Sequence, residues 1–248
     1  MQFGRSFAGK GQALSEVAPF VGGGATTDRA QAADDTEAVA AQLIRRVLAA
    51  SEDLDPIGLQ DKLDVAASFI GLARCIDEIV LPTTRQVHER VATGQFDATQ
   101  AVTVIEAVRT WLNHRSLFAP APLAIGPILL ACGPRDRHQV GLESLALLLR
   151  LQRWPCWVLG ARTSSFTLTV AAMAADAAAV VVMSTDSRAR SHAVDSLRAV
   201  DAMDIPVFFA GDAFDNERSR REVPGRYLGA GVGAACTLLI ESLTPAAS

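Results

Sequence analysis

Apolar residues in the first half of the chain recur every three or four positions, which is the spacing of one helix face. The pattern predicts four helices, which begin near Thr36, Leu59, Thr83 and Asp97. We expect Pro82 to break or kink the chain before the third helix, and Asp97 to cap the fourth. Gly94 is expected to end the third helix. Four consecutive helices with short links predict an antiparallel bundle over residues 35–118, preceded by a flexible, glycine-rich tail over residues 1–34.

The pattern changes after the proline-rich segment 119–122, which we interpret as a linker. Short continuous apolar runs now alternate with segments of helical spacing. The predicted strands are 127–132, 157–159, 178–183, 207–209 and 226–228. Continuous apolar strands between helices indicate a parallel sheet that is covered on both faces. We therefore predict an α/β chain, with a flavodoxin-like (Rossmann-like) domain over residues 123–248 and a ligand site at the carboxyl ends of its strands.

Composition and charge exclude several classes of protein. Hydrophobic residues make up 50% of the chain and charged residues 20%, so the chain as a whole is not disordered. A formal net charge of −4 argues against a nucleic-acid interface along the whole chain. No apolar stretch reaches the roughly 18 residues of a membrane span, and no apolar segment of a signal peptide follows the N-terminus. We expect a soluble, cytoplasmic protein.

The loop after the first predicted strand holds the residues most suggestive of chemistry. Asp136 stands two residues before His138, and Gly141 follows three residues later. A carboxylate so placed can accept a hydrogen bond from one imidazole nitrogen and leave the other free for a metal. Alternatively, Asp136 caps the next helix and His138 is a solvated loop residue. The common hydrolase, P-loop and zinc-peptidase motifs do not occur, and we expect no enzymatic activity.

The Asp-x-His-x-x-Gly motif after the first strand resembles the signature of cobalamin-binding domains. The resemblance implies that His138 is the metal ligand and binds cobalt from below in place of the nucleotide tail, while Asp136 orients it. It also implies that Ser184 lines the slot for the tail and that Gly211 lets the tail pass. The family has Ser-x-Leu and Gly-Gly at these places, whereas this chain has Ser184-Thr185-Asp186 and Ala210-Gly211. The other cofactor-binding positions that the resemblance implies are Arg137, Gly141, Gly160, Thr163 and Thr185.

The resemblance extends through the helices to the photoreceptor regulators of the CarH/LitR type. Segments 79–82 and 93–96 carry it in the bundle, and segments 140–147 and 159–163 carry it in the α/β domain. Those regulators begin with a DNA-binding helix-turn-helix, whereas about 35 residues precede the bundle here. A bundle and a cobalamin domain without a DNA reader resemble the AerR/PpaA antirepressors. The resemblance implies a light- or redox-responsive regulator of photosynthesis genes, which binds a repressor of the PpsR/CrtJ type and neither DNA nor membranes directly.

The upper face of the cofactor is expected to differ from that of the photoreceptors. Those proteins cover adenosylcobalamin with a Trp and a Glu-His pair, but the matching positions here hold Val91 and Ala101-Val102. We therefore expect hydroxo- or aquocobalamin rather than the adenosyl form. His88 lies one helical turn before Ala92 and is a candidate for the upper face. The alternative is a surface histidine.

Two other functions fit the same fold. A corrinoid carrier for methyl transfer has the same two-domain layout, although such carriers have Lys-Asn where this chain has Leu142-Glu143. A haem-binding sensor is the other alternative, because some similar domains bind haem and Ala210 narrows the slot for a nucleotide tail. The four cysteines are widely spaced and fit neither a disulfide scaffold nor a structural zinc site.

Overall fold

The computed structural model describes residues 42, 44–46, 49 and 55–244. The predicted tail and most of the first predicted helix lie outside these residues, so a four-helix bundle remains a prediction. The described helices before the sheet are α1 (Pro56–Ile70), α2 (Leu72–Cys75), α3 (Leu81–Ala92) and α4 (Ala98–Ser116). As predicted, Gly94 follows α3 with a positive φ of 73°. Asp97 caps α4 and forms a reciprocal capping box with Gln100.

The helical region differs from the prediction at Gly71 and Pro82. The chain breaks at Gly71, whose φ of 86° and ψ of 152° suit only glycine. It then runs from α2 into α3 through a π-helical turn, Ile76–Val80, in which the N–H of Leu81 donates to the carbonyl of Ile76. The wider turn accommodates Pro82, which has no N–H to donate and whose ring would clash in a regular α-helix. The chain therefore continues through Pro82 without a break, and the irregularity lies in the π-helical turn directly before it.

The second half of the chain forms the predicted parallel sheet. Its strands are β1 (Ile128–Cys132), β2 (Cys156–Gly160), β3 (Ala179–Met183), β4 (Val207–Ala210) and β5 (Arg226–Tyr227). They lie in the order β2-β1-β3-β4-β5, the predicted flavodoxin-like order. Ile128 pairs with Cys156 on one side and with Ala179 on the other. The carboxyl ends of β1 and β3 are therefore neighbours, which brings the loops after these two strands together.

Helices cover both faces of the sheet. They are α5 (Val140–Leu151), α6 (Ser165–Ala174), α7 (Arg190–Asp201), α8 (Glu217–Arg220) and α9 (Val232–Leu243), with a 3-10 turn at Asp212–Phe214. Alternate residues of β1 point to opposite cores: Leu130 packs with α5, α9 and the preceding helices, while Leu129 packs with α6 and α7. Among the described residues, no helix is both long enough and apolar enough to cross a membrane.

Candidate functional site

The Asp136 carboxylate joins the two neighbouring loops at the carboxyl ends of β1 and β3. It is buried and accepts hydrogen bonds from the backbone N–H of His138 (2.9 Å), Thr185 and Asp186 (3.3 Å). The hydroxyl of Ser184 donates to it as well, at 3.2 Å. Burial alone would raise the pKa of Asp136, but the hydrogen bonds from His138, Thr185 and Asp186 outweigh burial and hold this pKa well below its usual range. The carboxylate is therefore a fixed negative charge beneath the loop.

The His138 ring is linked to the Asp136 carboxylate through the Thr185 hydroxyl. Its Nδ1 lies 2.8 Å from the Thr185 hydroxyl, and this hydroxyl lies 3.2 Å from the Asp136 carboxylate. The direct distance from Nδ1 to Asp136 Oδ1 is longer, 3.4 Å. The interaction with Asp136 raises the pKa of His138, in opposition to partial burial. With Nδ1 held on this side, Nε2 is the ring nitrogen whose lone pair can bind a metal.

His88 faces His138 from α3. The two ring centroids lie 4.2 Å apart, with the ring planes at 73°. Partial burial and the neighbouring His138 lower the pKa of His88, so the neutral form is favoured. Two imidazoles from different layers of the fold thus meet at one point. Of these two histidines, His138 is the one linked to a carboxylate, that of Asp136, through the hydroxyl of Thr185.

A cleft of about 470 Å³ surrounds the two histidines. One wall is formed by α3 and α4, and the other by the loops that follow β1, β3, β4 and β5. Its position is the one predicted from the strand pattern, at the carboxyl ends of the strands around the point where the strand order reverses. A cleft of this kind admits a bulky ligand between the helices and the sheet.

Two of the predicted glycines shape the cleft. Gly211 has a φ of 102°, and a Cβ at this position would lie 2.2 Å from the carbonyl oxygen of Ser184. A Cβ at Gly141 would lie 2.9 Å from the sulfur of Met183. Neither position can accept a side chain without a shift of its neighbours, so glycine allows the Ser184 backbone and the Met183 side chain to pack directly against the chain at these two points.

The remaining predicted residues fall inside and outside the cleft. Arg137 lines it, and so does Thr185. Gly160 and Thr163 lie at the end of β2 and are not among the residues that line the cleft. The Thr163 hydroxyl donates to the carbonyl of Gly160 at 3.1 Å, which closes the turn before α6. Val91 and Val102, at the positions where the photoreceptors cover the cofactor, are exposed and do not line the cleft either.

Several residues of the cleft were missed from the sequence. Arg85 on α3 pairs with Asp212 across the rim, at 3.5 Å. Asp77, in the π-helical turn, does not itself line the cleft, but it accepts hydrogen bonds from the N–H groups of Val232 (2.6 Å) and Gly233 (3.1 Å) at the start of α9. These contacts join distant segments, and no local pattern predicts them. The segment 229–231, Gly-Ala-Gly, also lines the cleft. Its two glycines directly follow the predicted fifth strand, so the sequence did indicate a loop at this edge of the sheet.

Comparison with known proteins identifies a related sequence. No protein-family model matches the chain. The chain is similar to the HTH-type transcriptional repressor CarH of Myxococcus xanthus, with 30% identity over 171 residues. The match covers 67% of this chain and 56% of CarH, so the chain spans just over half the length of that repressor.

Solved structures share the architecture at low sequence identity. The monomethylamine corrinoid protein of Methanosarcina barkeri matches with a TM-score of 0.60 and 12% identity, over 81% of this chain and 98% of that protein. A cobalamin-binding protein of Desulfitobacterium hafniense matches with a TM-score of 0.43 and 15% identity, over 81% of this chain and 98% of that protein. The first of these likenesses shows a common fold.

Proposed function

We propose that this protein is a cobalamin-binding regulator without catalytic activity, which acts through contact with a transcriptional repressor. The observation that carries the proposal is the set Asp136, Thr185 and His138, which presents one oriented imidazole at the carboxyl edge of the sheet. The sequence similarity to CarH, a transcriptional repressor, supports the regulatory part. The fold shared with a corrinoid protein supports the cofactor.

The residues of the cleft suit a corrinoid. His138 would hold the cobalt, and Gly141 and Gly211 line the cleft beside it. His88 lies on the opposite wall in direct contact with His138, so the two rings would have to separate for a corrinoid to bind to His138. Hydroxo- or aquocobalamin is proposed over the adenosyl form because Val91 and Ala101-Val102 stand where the photoreceptors carry a Trp and a Glu-His pair. When bound, cobalamin would supply an axial ligand that exchanges in response to light or to the redox state.

Regulation would follow from the position of the cleft. The helices α3 and α4 form one wall and the sheet loops form the other, so a ligand that binds better to one arrangement of the walls shifts the population towards it. Two ion pairs join these helices to the sheet layer: Arg85 on α3 with Asp212 after β4, and Arg109 on α4 with Glu143 on α5. A change in their packing would alter the surface that a repressor of the PpsR/CrtJ type contacts.

The test is purification with hydroxocobalamin and with adenosylcobalamin, in darkness and in light. We expect hydroxocobalamin to elute with the protein and to show a corrin absorption spectrum different from that of the free cofactor. His138→Ala should lose this spectrum, whereas the control His192→Ala, on α7 away from the cleft, should keep it. An unchanged spectrum in His138→Ala would remove His138 as the ligand, and a change of elution volume in light would support the light response.

A corrinoid carrier for methyl transfer is the second candidate, and the fold shared with the monomethylamine corrinoid protein favours it. Such a carrier must accept a methyl group on bound cobalt from a methyl donor and its methyltransferase. Methylation of the loaded protein would support the carrier, and its absence would support the regulator. A haem-binding sensor would instead give a Soret band on titration with haem and take up no corrinoid.

A further inference from the structure

Helix α6 is apolar on both of its faces. Leu168 and Ala172 are buried against the sheet. The opposite face of α6, which we call the outer face, carries Phe166, Val170 and Met173, and these residues are 77%, 43% and 62% exposed. A surface helix normally turns a polar face to the solvent, and a helix that is apolar all round is normally covered on both sides. Within the described part of the chain, the outer face of α6 has no such cover.

The outer face of α6 is also free of charge. Residues 163–175 contain no Asp, Glu, Lys or Arg. Among the described helices, α6 is the one that contains no charged residue. This face can therefore meet an identical face without bringing like charges together, which would oppose association.

Trp157 extends the apolar surface from α6 towards the edge of the sheet. It lies on β2, the edge strand, where it pairs with Leu129 of β1, and it is 53% exposed. Paired residues of neighbouring strands point to the same side of a sheet. Because Leu129 packs with α6 and α7, Trp157 lies on the side of the sheet that α6 covers. No strand of the described residues lies beyond β2, so a second molecule can approach α6 from this side.

The exposed apolar area is large enough for a dimer. Trp157 and the three residues of the outer face together expose roughly 500 Å², on the scale of about 150–250 Å² for one whole aromatic side chain. Two copies that cover this surface would bury roughly 1,000 Å² in total, which is the size at which specific interfaces begin.

We propose that the outer face of α6 and Trp157 form a two-fold interface between two copies of this chain. In such an interface the same patch supplies both sides, so α6 packs against α6 of the second copy. Val170, at the centre of the outer face, would lie nearest the two-fold axis and face its own counterpart, with Phe166 of one copy beside Met173 of the other. None of these residues lines the cleft, so the proposal does not depend on the cofactor.

Sedimentation velocity of the full chain tests the proposal. We expect the unsubstituted protein to sediment as a dimer at micromolar concentrations. Phe166→Glu places a charge on each side of the interface and should weaken the dimer at least about 100-fold. The matched control is Phe69→Glu on α1, because Phe69 is also 77% exposed and lies on another helix. This control should leave the dimer unchanged.

Three results would overturn the inference. A monomeric unsubstituted protein would leave the outer face of α6 to a partner of another kind. A Phe166→Glu variant that remains dimeric would place the interface elsewhere, and so would a Phe69→Glu variant that dissociates as readily as Phe166→Glu.

A cysteine at position 170 tests where the two-fold axis lies. The four native cysteines are buried, so the thiol of Val170→Cys is the one that a short bismaleimide can reach. We expect this variant to give a covalent dimer, whereas Phe69→Cys should stay a single chain under the same conditions. A dimer that gives no crosslink through Val170→Cys would contradict the inference.

Discussion

At the scale of single residues, Asp136 supports the loops on which the site is built. Its carboxylate accepts from three backbone N–H groups and is buried. Asp136→Asn replaces one acceptor oxygen by an amide that donates, and it removes the charge. We predict that the cofactor-free protein loses about 2–3 kcal/mol of unfolding free energy, the usual scale for hydrogen bonds to a buried charge. Urea denaturation at pH 7 measures the loss.

The matched control for this substitution is Asp61→Asn. Asp61 is an exposed carboxylate on α1, and its replacement should shift the unfolding free energy by no more than about 0.5 kcal/mol. If the two variants were equally stable, the network around Asp136 would contribute nothing to the fold.

Gly211 provides a second test at a single position. Gly211 and Gly71 share a backbone conformation that only glycine adopts readily, with φ of 102° and 86°. They differ in their surroundings, because a Cβ would meet the Ser184 carbonyl at Gly211 and nothing within 4 Å at Gly71. Alanine at either position should cost about 1–3 kcal/mol in backbone strain. Gly211→Ala should cost measurably more in denaturant unfolding, and equal costs would refute a steric role for Gly211.

At the scale of elements, the sequence predicted the sheet better than the helices. Strands such as β3 are buried on both faces and appear as continuous apolar runs, so the predicted run 178–183 differs from β3 by one residue. The helical chain breaks at Gly71 rather than at Pro82, and Pro82 follows a π-helical turn, which the helical spacing of the apolar residues did not predict. Gly71 was the available signal, since glycine tolerates the conformation at which α1 ends.

Asp64 links α1 to α4 and makes the stability of this contact depend on pH. It accepts from Trp111 Nε1 and from the Arg115 guanidinium, both at 2.6 Å. Burial raises the pKa of Asp64, but these two hydrogen bonds outweigh burial and lower it overall. The stabilisation is therefore complete above the pKa of the unfolded state, about 3.9, and is lost as the pH falls through the lower folded value.

We predict that Asp64→Asn costs up to about 1 kcal/mol at pH 7, because the carboxylate is largely exposed and screened. The difference from the unsubstituted protein should shrink as the pH falls below about 4. Urea unfolding at both pH values measures it, with Asp61→Asn again as the control. A difference that grew towards acid pH would contradict this assignment.

Asp77 fixes the start of α9 to the π-helical turn. Without its carboxylate, the N–H groups of Val232 and Gly233 lose their acceptors, as when a helix cap is removed. Asp77→Ala should reduce stability by about 1–2 kcal/mol and speed hydrogen exchange at these two amides. Glu78→Ala, which removes the neighbouring carboxylate paired with Arg74, should leave their exchange unchanged. Unchanged exchange in Asp77→Ala would show that the contact does not hold α9.

At the scale of the whole molecule, the site is an assembly of near and distant residues. Asp136 and His138 could be identified as a pair from the sequence because they lie only two positions apart in the chain. The sequence could not predict their link through Thr185, because this link depends on the pairing of β1 with β3, which brings the two loops together. The approach of His88 to His138 depends on how α3 packs over the sheet, and the sequence alone left this open.

The whole molecule also explains why the cleft lies where it does. The loops after β1 and β3 meet at the reversal of strand order, and α3 and α4 cover them. Arg109 on α4 holds Glu143 on α5 with two of its nitrogens, so the helices are fixed to the helix that follows the His138 loop. A ligand bound at His138 would therefore contact both layers at once.

Electron paramagnetic resonance of the protein loaded with cobalamin and reduced to Co(II) tests the central claim, that His138 binds cobalt. The unpaired electron couples to the axial nitrogen, which splits the cobalt lines into triplets for ¹⁴N and doublets for ¹⁵N. Protein labelled with ¹⁵N-histidine should give doublets, His88→Ala should keep them, and His138→Ala should lose them. Triplets in the labelled protein would show that the cofactor keeps its own base on cobalt, and this result would contradict the account.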